Sequence, residues 1–412
     1  MRKMKDSGLD IVGQMPTEWD FIRLRYLCDI TTGDSDTQDA DPDGEYPFYV
    51  RSPIVERSTK FTFNGEGILM AGDGAGAGRV FHHALGKYAV HQRVYRLYNF
   101  KVNSNFLFYY ISNLFPSVMD KGSAQSTVPS VRLPMLLNFE VCFPPLAEQQ
   151  RIADFLDEKC GEIDSICSDI QKQIDILNDY KKSVITEAVT KGLNPKAKLK
   201  DSGIEWIGKI PEGWVTRRLK ELGKVRNGLT YSPTDICDSD EGYLVLRSSN
   251  IKDGKLSFED NVFVSCRIPH ELIVQKGDIL ICSRNGSRKL IGKNAIIEDI
   301  GNGRITYGAF MMIFRTKYPK YIYYILNSGI FSYYLGSFFT STINQLTGFD
   351  FGNMAVPFCT DDEEQKAIAD YLDEKCSEID ATIADKQRQL ETLDEYKKSL
   401  IFEYVTGKKE VS

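Results

Sequence analysis

Two glycine-containing segments come nearest to a phosphate-binding loop. Residues 72–78 carry glycine at every second position, yet no register gives the Gly-x-Gly-x-x-Gly spacing of a dinucleotide loop. Residues 286–294 approach a Walker A loop, but one residue too many separates the glycines, and Asn294 stands where a hydroxyl would hold Mg²⁺. We therefore expect no nucleotide site, and we expect a surface turn at 72–78.

Other residue types that support catalysis are scattered. His82, His83 and His91 have no cysteine or carboxylate at metal-ligand spacing. The Asp-Glu-Lys triplets at 157–159 and 373–375 lack the preceding Pro-Asp of a nuclease cluster, and the chain has no Gly-x-Ser-x-Gly elbow and no Asn/Asp-Pro-Pro-aromatic motif of amino-methyltransferases. We predict a non-catalytic chain without a metal or cofactor of its own; an enzyme with an unrecognised site is an alternative.

The composition is that of a folded protein with several domains. The 412 residues are 42% hydrophobic and 26% charged, and at about 100–200 residues per domain they suggest two to four domains. No run of about 18 apolar residues is present, and the N-terminal residues lack an apolar signal region. With nine cysteines and no Cys-x-x-Cys pair, we expect reduced, packed thiols in a cytoplasmic protein.

The chain is a tandem repeat. Residues 6–33 match 201–228 at ten of 28 positions, including Pro16-x-x-Trp19 and Pro211-x-x-Trp214, and residues 152–190 match 368–406 at 23 of 39. The intervening segments differ, apart from weak similarities. These pair Tyr49–Ser52 with Val245–Ser248, Tyr109–Ile111 with Tyr323–Ile325, and Ser126–Val128 with Ser341–Ile343. Shared elements predict a common task, and the divergent segments predict discrimination.

The strongly repeated block has the heptad pattern of a long helix. Its predicted seam residues are Leu156, Ile163, Ile170, Leu177 and Val184 in the first copy and Leu372, Ile379, Leu393 and Leu400 in the second. Lysines at 181, 386 and 397 interrupt the pattern. We expect the two helices to pair as an antiparallel coiled coil; two ordinary core helices in separate domains are the alternative.

The predicted fold class is α+β: two mixed α/β domains separated by two long helices, with a pseudo-twofold tandem repeat. The expected boundaries are 1–147 and 193–360 for the two mixed domains, and 148–192 and 361–412 for the helical segments. Short apolar runs followed by glycine or asparagine predict strands near 67–70, 277–281, 294–297 and 309–314. Tyrosine-rich stretches at 105–114 and 320–327 predict helices.

The charge is distributed unevenly along the chain. The whole chain has a formal net charge of −6, but residues 46–132 contain ten basic and four acidic residues, and residues 276–320 contain nine and three. The helical segments are acidic: residues 148–190 carry five basic and ten acidic side chains. A basic region in each divergent segment is typical of a protein that binds a polyanion with two domains.

The repeated motifs resemble a known family. Each divergent segment is preceded by Pro-x-x-Trp and followed by Glu-Gln-x-x-Ile-Ala-Asp-aromatic-Leu-Asp, beginning at Glu148 and Glu364. The chain is thereby similar to the specificity subunit of type I restriction–modification systems. In the first copy the sequence reads Glu148-Gln149-Gln150, which leaves its register open by one residue.

The resemblance implies a division of labour. Each divergent segment would be a target recognition domain that reads half of an asymmetric, bipartite site in double-stranded DNA. The helices would set the spacer and dock two methyltransferase subunits, which bring S-adenosylmethionine, and restriction subunits would be further partners. Because matching major grooves recur about every 10–10.5 bp, the half-site centres should lie about one helical turn apart.

Basic and amide side chains on loops are the candidates for DNA contact. The predicted residues are Arg51, Lys60, Arg79, Arg93, Gln125 and Ser126 in the first domain, and Arg247, Ser248, Asn250, Arg284, Asn285, Arg288, Lys289 and Lys293 in the second. Arg51 and Arg247 lie in an element common to both domains, so a structural role is their alternative. An element shared by two different readers cannot distinguish their targets.

The shared helices are the predicted surface for methyltransferase docking. The candidate residues are Asp157 and Glu158 in the first copy and Asp373 and Glu374 in the second. A rival hypothesis is a coiled-coil scaffold with two protein-binding modules. It predicts that removing the basic side chains around Arg284 leaves DNA affinity unchanged.

Overall fold

The computed structural model divides into two compact units. It describes residues 2–122, 129–239, 242–301, 303–338 and 345–411. Unit 1 comprises residues 1–171 and 387–412, and unit 2 comprises residues 172–386. The unit boundaries cut both long helices near their middle, so each unit combines one divergent segment with part of each helix. They differ in this from the four consecutive segments drawn from the sequence.

Unit 1 is a mixed α/β structure. Its strands are Met4–Asp6 (β1), Gln14–Pro16 (β2), Asp20–Arg23 (β3), Asp29–Thr32 (β4), Tyr46–Tyr49 (β5), Glu56–Ser58 (β6), Phe63–Asn64 (β7), Gly67–Ala71 (β8), Phe81–Ala84 (β9), Lys87–Val90 (β10), Val94–Tyr98 (β11) and Glu140–Phe143 (β12). Its helices are Ser104–Gly122 (α1), Leu133–Leu137 (α2), the first part of Leu146–Lys191 (α3) and the last part of a second long helix, Asp362–Val405. One sheet has the order β4-β11-β8-β9 and another the order β6-β5-β10-β7.

Unit 2 contains more strands. They are Leu199–Asp201 (β13), Lys209–Pro211 (β14), Val215–Arg218 (β15), Gly223–Asn227 (β16), Ile236–Cys237 (β17), Tyr243–Leu246 (β18), Ile251–Lys252 (β19), Lys255–Leu256 (β20), Phe263–Val264 (β21), Ile279–Cys282 (β22), Asn294–Ile296 (β23), Ile305–Tyr307 (β24), Met311–Thr316 (β25) and Ala355–Phe358 (β26). Its helices are the last part of α3, Leu219–Leu222 (α4), Pro319–Leu326 (α5), Gly329–Phe338 (α6), Gly348–Asn353 (α7) and the first part of Asp362–Val405 (α8).

The divergent segments share a strand framework although their sequences differ. The sheet β16-β25-β22-β23 of unit 2 has the order of β4-β11-β8-β9 in unit 1. The parallel pair β5–β10 corresponds to the parallel pair β18–β24. The central strands β8 and β22 are buried along their whole length, as expected of continuous apolar runs covered on both faces. The tandem repeat therefore extends through the divergent segments.

The two long helices run antiparallel in each unit. In unit 1, Lys397 Nζ donates to Asp164 Oδ1 over 2.6 Å, and in unit 2, Lys181 Nζ donates to Asp380 over 2.7 Å. These are the same pair of positions in the two copies of the repeat. Lys386 likewise donates to Gln173 in unit 2. The lysines that interrupt the heptads thus bond across the helix pair and fix its register.

The predicted seam residues face the interior to different degrees. Leu156, Ile163, Ile170, Leu372, Ile379 and Leu400 are buried, and Leu177, Val184 and Leu393 are half-buried. Helix α3 follows Pro144-Pro145 and ends at Lys191, just before Gly192, whose φ is +72°. Its 46 residues give a length of about 69 Å.

A buried glutamine ties the start of each long helix to the divergent segment that precedes it. Gln149 donates to the carbonyl of Pro144 over 2.8 Å, and Gln365 donates to that of Cys359 over 2.6 Å. Both side chains are almost fully buried. This equivalence settles the open register: Gln149, rather than Gln150, is the counterpart of Gln365.

The repeated tryptophans lie in the two cores. Trp19 is fully buried in unit 1, with its ring 6.4 Å from Phe106 in an edge-to-face arrangement. Trp214 makes the same contact with Tyr321 in unit 2 at 6.4 Å. The pairing of Phe106 with Tyr321 shifts the predicted match between α1 and α5 by one residue. Tyr109 therefore corresponds to Tyr324 rather than to Tyr323, and the sequence alignment was wrong at this point.

Candidate nucleic-acid interface

Three loops of unit 1 meet at the end of strand β8, and we call them loop site 1. Residues 72–79 follow β8, residues 91–93 precede β11, and residues 129–131 follow the α1 region. The amide of Gly72 donates to the carbonyl of Arg93 over 2.9 Å, and that of Val131 donates to the carbonyl of Gly72 over 2.8 Å. Asp73 and Ser130 form an isolated β-bridge.

Unit 2 has the same arrangement at the end of β22, which we call loop site 2. The amide of Ser283 donates to the carbonyl of Phe310 over 2.9 Å, and that of Leu346 donates to the carbonyl of Ser283 over 2.7 Å. Arg284 and Gln345 form the corresponding isolated bridge. Backbone pairing therefore makes Arg284 the counterpart of Asp73, and Phe310 the counterpart of Arg93.

Loop site 1 is organised around one carboxylate. Asp73 accepts hydrogen bonds from Arg51 over 2.8 Å and from Arg93 over 2.9 Å, one on each oxygen. Partial burial disfavours the charged form, but the two guanidinium groups outweigh it and hold the pKa of Asp73 below its ordinary value. A concavity of about 310 Å³ lies beside these groups, and His91 forms part of its wall.

Loop site 2 uses an arginine and an aromatic ring instead. The guanidinium carbon of Arg284 lies 5.3 Å from the centre of the Phe310 ring, within the range of a cation–π contact. Phe310 is 58% exposed, and Arg284 is also exposed. Sequence reasoning selected Arg284 and Arg93 but missed Asp73 and Phe310, because an acidic residue and a phenylalanine are not typical DNA contacts.

Of the other DNA contacts predicted for the first domain, those that the structure describes do not belong to the cluster around Asp73. Lys60 is exposed in the turn between β6 and β7. Arg79 is half-exposed and forms an ion pair with Asp120 of α1. Gln125 and Ser126 lie outside the described residues.

Two predicted residues of the second domain hold their own loop together. Arg247 forms an ion pair with Asp260 over 2.9 Å, in line with the structural alternative for this shared element. Asn250 is fully buried: its side chain accepts from the amide of Arg247 and donates to the carbonyl of Ser257. A side chain without exposed surface cannot reach a base, so we correct Asn250 from a DNA contact to a loop-stabilising residue.

The remaining predicted residues of the second domain lie on or near loop site 2. Asn285 donates to the hydroxyl of Ser248 over 3.2 Å, which joins the loops after β22 and β18. Arg288 and Lys289 are exposed in a short 3₁₀ turn, and Lys293 is half-buried where the loop enters β23. Cationic side chains can contact a polyanion, and the DNA contacts predicted for these residues stay predictions.

The acidic residues proposed for docking divide into two kinds. Asp157 accepts from the hydroxyl of Tyr109 over 2.7 Å and from Asn105 over 2.8 Å. Asp373 accepts from Tyr324 and Lys320 at the equivalent place in unit 2. These carboxylates therefore tie each long helix to the divergent segment of its unit. Burial together with the carboxylate raises the pKa of both phenols.

Other side chains shared by the two helices point to solvent. Glu158 and Glu374 are exposed. Tyr180 and Tyr396, also equivalent in the repeat, are each 56% exposed. The sequence showed these tyrosines in the repeated Tyr-Lys-Lys-Ser element, but only the structure shows that packing within a unit does not account for them.

The histidines near loop site 1 have protein partners. His82 contacts the carbonyl of Ser52 at 3.0 Å, and burial lowers its pKa. His83 contacts Glu66 at 3.0 Å. Across the described part of the chain, no group of three metal-ligating side chains comes together. In the same residues, no helix is long and apolar enough to cross a membrane.

Comparison with known proteins identifies the family to which the chain belongs. A family model described as the type I restriction modification DNA specificity domain matches the chain twice, at residues 16–177 and 211–392. The chain belongs to this family. Each match begins at the proline of the Pro-x-x-Trp element and contains one loop site, so DNA specificity belongs to both halves. The sequence-based identification and its tandem α+β fold class are confirmed.

Individual relatives agree with the family. The chain is 27% identical to the type I restriction enzyme MjaVIII specificity subunit of Methanocaldococcus jannaschii, over 96% of this chain and 94% of the relative. It is 26% identical to the EcoDI specificity subunit of Escherichia coli, over 54% of this chain and 52% of that protein. A chain solved in a study of type I R-M complex assembly has the same fold, with a TM-score of 0.63, 17% identity and coverage of 96% and 99%.

Proposed function

We propose that each unit reads one half of a bipartite, asymmetric site in double-stranded DNA. The observation that carries this proposal is the pair of loop sites: one strand framework presents different side chains at equivalent positions. Asp73 between two arginines and Arg284 over Phe310 offer different hydrogen-bonding groups. Unlike readers on a common framework recognise unlike half-sites.

The long helices fix the spacer and dock two methyltransferase subunits. Support comes from side chains that are identical in both copies of the helix and exposed in both, above all Tyr180 and Tyr396. An exposed aromatic side chain is a typical anchor of a protein interface, and a repeated anchor fits a partner that binds twice. Glu158 and Glu374 suit the same surface better than Asp157 and Asp373, which are bonded within their units.

The division of chemistry follows from these roles. This chain recognises the target sequence in the cytoplasm, and its methyltransferase partners bind S-adenosylmethionine and methylate the base. Restriction subunits are further partners of the assembled complex.

A comparison of methylation in native DNA tests the recognition role. Genomic DNA from cells with and without this gene is sequenced by a method that reads modified adenines directly. We expect methylation at one interrupted, asymmetric motif to disappear with the gene. Unchanged methylation would contradict the proposal.

Salt dependence of binding separates DNA recognition from the scaffold hypothesis. Alanine at Arg284, Arg288 and Lys289 should lower affinity and flatten the slope of log affinity against log salt, by about 0.9 for each lost phosphate contact. The matched control replaces three exposed lysines of the same unit, at positions 196, 198 and 209. Equal effects of the two triple variants would contradict a role for loop site 2.

The docking role is tested by the repeated tyrosines. Tyr180→Ala and Tyr396→Ala should each weaken one of two methyltransferase sites by about 5- to 30-fold, as expected for a lost interface anchor of 1–2 kcal/mol. The double variant should weaken both sites, measured as subunit stoichiometry by native mass spectrometry. Tyr26→Ala is the control, because Tyr26 is 54% exposed but is not repeated. If methyltransferase binding is unchanged in Tyr180→Ala, in Tyr396→Ala and in the double variant, the assignment of the docking surface is refuted.

A further inference from the structure

Position 284 of unit 2 carries the reverse of the charge found at its counterpart in unit 1. Asp73 and Arg284 both follow a central buried strand and both form the isolated bridge to the segment at 130 or 345. In unit 1 the side chain is occupied by two arginines. Arg284 forms no ion pair with any residue that the structure describes. The same place in the framework is thus closed by internal contacts in unit 1 and open to a ligand in unit 2.

The backbone of Arg284 is firmly placed. Its amide donates to the carbonyl of Phe310 over 3.1 Å, and its bridge to Gln345 adds a second strand-like contact. Because Arg284 is exposed while its backbone is held, the start of the side chain is fixed and the side chain is accessible to a ligand.

The ring of Phe310 restricts where the guanidinium group of Arg284 lies. The group lies 5.3 Å from the ring centre, and stacking on an aromatic face is a common arrangement for arginine. A stacked guanidinium keeps its N–H groups at its edge, where they point away from the ring. Phe310 is 58% exposed, so its ring is available at the surface to hold the side chain of Arg284.

Neighbouring cations are arranged differently. Arg247 is held by Asp260. Lys289 lies in a 3₁₀ turn, and no aromatic ring among the residues that the structure describes supports it. An ammonium on a flexible stem suits a phosphate, whereas a planar, ordered fork suits two acceptors side by side. In the major groove, guanine presents such acceptors at O6 and N7.

We propose that Arg284 is the base-reading residue of unit 2 and that it recognises a guanine in the half-site bound by this unit. Phe310 is its positioning residue, and Lys289 binds phosphate. This inference rests on the proposed function and adds the identity of one base and the side chain that reads it.

Methylome sequencing of variants in the native complex tests the inference. Arg284→Gln should reduce the preference for guanine at one position of one half-site by about 5- to 150-fold, the discrimination of a lost bidentate pair. The other half-site should stay unchanged, which also shows that the complex still assembles. Arg284→Lys retains the charge and should still lose most of the preference. Phe310→Leu retains bulk and should give an intermediate loss.

Lys289→Ala is the matched control. It should lower methylation at all sites alike and leave the motif unchanged. A guanine preference that survives both Arg284 variants, or a loss spread over all positions of the half-site, would overturn the inference. A wild-type methylome that does not change on deletion of the gene would instead overturn the proposed function, so the two failures are distinguishable.

Discussion

Replacing Asp73 with alanine should make binding of DNA tighter but less selective. The carboxylate orients Arg51 and Arg93, whose side chains are 39% and 59% exposed. Without it, both guanidinium groups gain freedom to meet any phosphate, and the chain loses one negative charge. We expect a steeper salt dependence, by about 0.9 for each added phosphate contact, and stronger binding to non-specific DNA.

Selectivity should fall because the arginines lose their fixed orientation. Loss of one ordered contact to a base corresponds to about 1–3 kcal/mol, so the ratio of specific to non-specific affinity should fall at least about 5-fold. The stability cost is small: exposed ion pairs contribute about 0.2–1 kcal/mol each, which gives about 1 kcal/mol in urea unfolding for this partly exposed pair of contacts.

The pH dependence of this stability term has a defined sign. Since the pKa of Asp73 is lowered in the folded state, its contribution is present at neutral pH. It is lost as the pH falls from the unfolded value of about 3.9 through the folded pKa. The stability difference between the wild type and Asp73→Ala should therefore be constant near neutrality and vanish in strong acid.

Fluorescence anisotropy of the full chain, with the motif DNA and a scrambled duplex over a salt series, measures these effects. Asp394→Ala is the control, because it also removes an acidic partner of a cation in unit 1, Lys398, but on helix α8. It should leave selectivity unchanged. If Asp73→Ala weakens binding to both duplexes equally, the carboxylate does not orient the arginines and the reasoning is refuted.

Three further perturbations follow from the structure. Asp278→Ala should lower the urea unfolding free energy by about 2–4 kcal/mol, because this buried carboxylate holds Arg315 through two bonds of 2.7 Å; a loss below about 1 kcal/mol would contradict its importance. Gly407→Ala should cost about 2–4 kcal/mol and Gly192→Ala about 1–2 kcal/mol in the same assay. Both have positive φ, but an added Cβ at 407 would lie 2.5 Å from Pro16, against 3.0 Å from its nearest neighbour at 192; equal costs would contradict this. Removing one heptad from each long helix, in register, shortens each by about 10 Å. The methylated motif should keep both half-sites and change only its spacer, and altered half-sites would refute the division of roles.

Long-range regularity made the helices and the repeat predictable. The heptads and the repeated Glu-Gln-x-x-Ile element predicted α3 and α8, and apolar runs predicted β8, β22 and β23. Helix and strand periodicities record local burial, which a single sequence shows directly.

Pairing between distant segments could not be deduced in the same way. The two units share a sheet order because their backbones pair in the same way. Segments with different side chains can form the same backbone pairing, so the sequence does not reveal it. The roles of Lys181 and Lys397 as partners across the helix pair were hidden, because in the sequence they only interrupt an apolar pattern. The role of Asp73 depends on Arg51 and Arg93, which lie about 20 residues away on either side in the sequence.

The contacts that hold the start of each long helix affect how the specificity of this protein can evolve. The buried glutamines, the tryptophans and the Tyr–Asp contacts involve none of the loop-site residues and stabilise the same framework in both units. Substitutions at exposed loop positions usually change stability by no more than about 0.5 kcal/mol. Selection for stability, which removes most core mutations, therefore removes few substitutions in the loops. New specificities can accumulate there by neutral drift, one half-site at a time, without a compensating change in the scaffold.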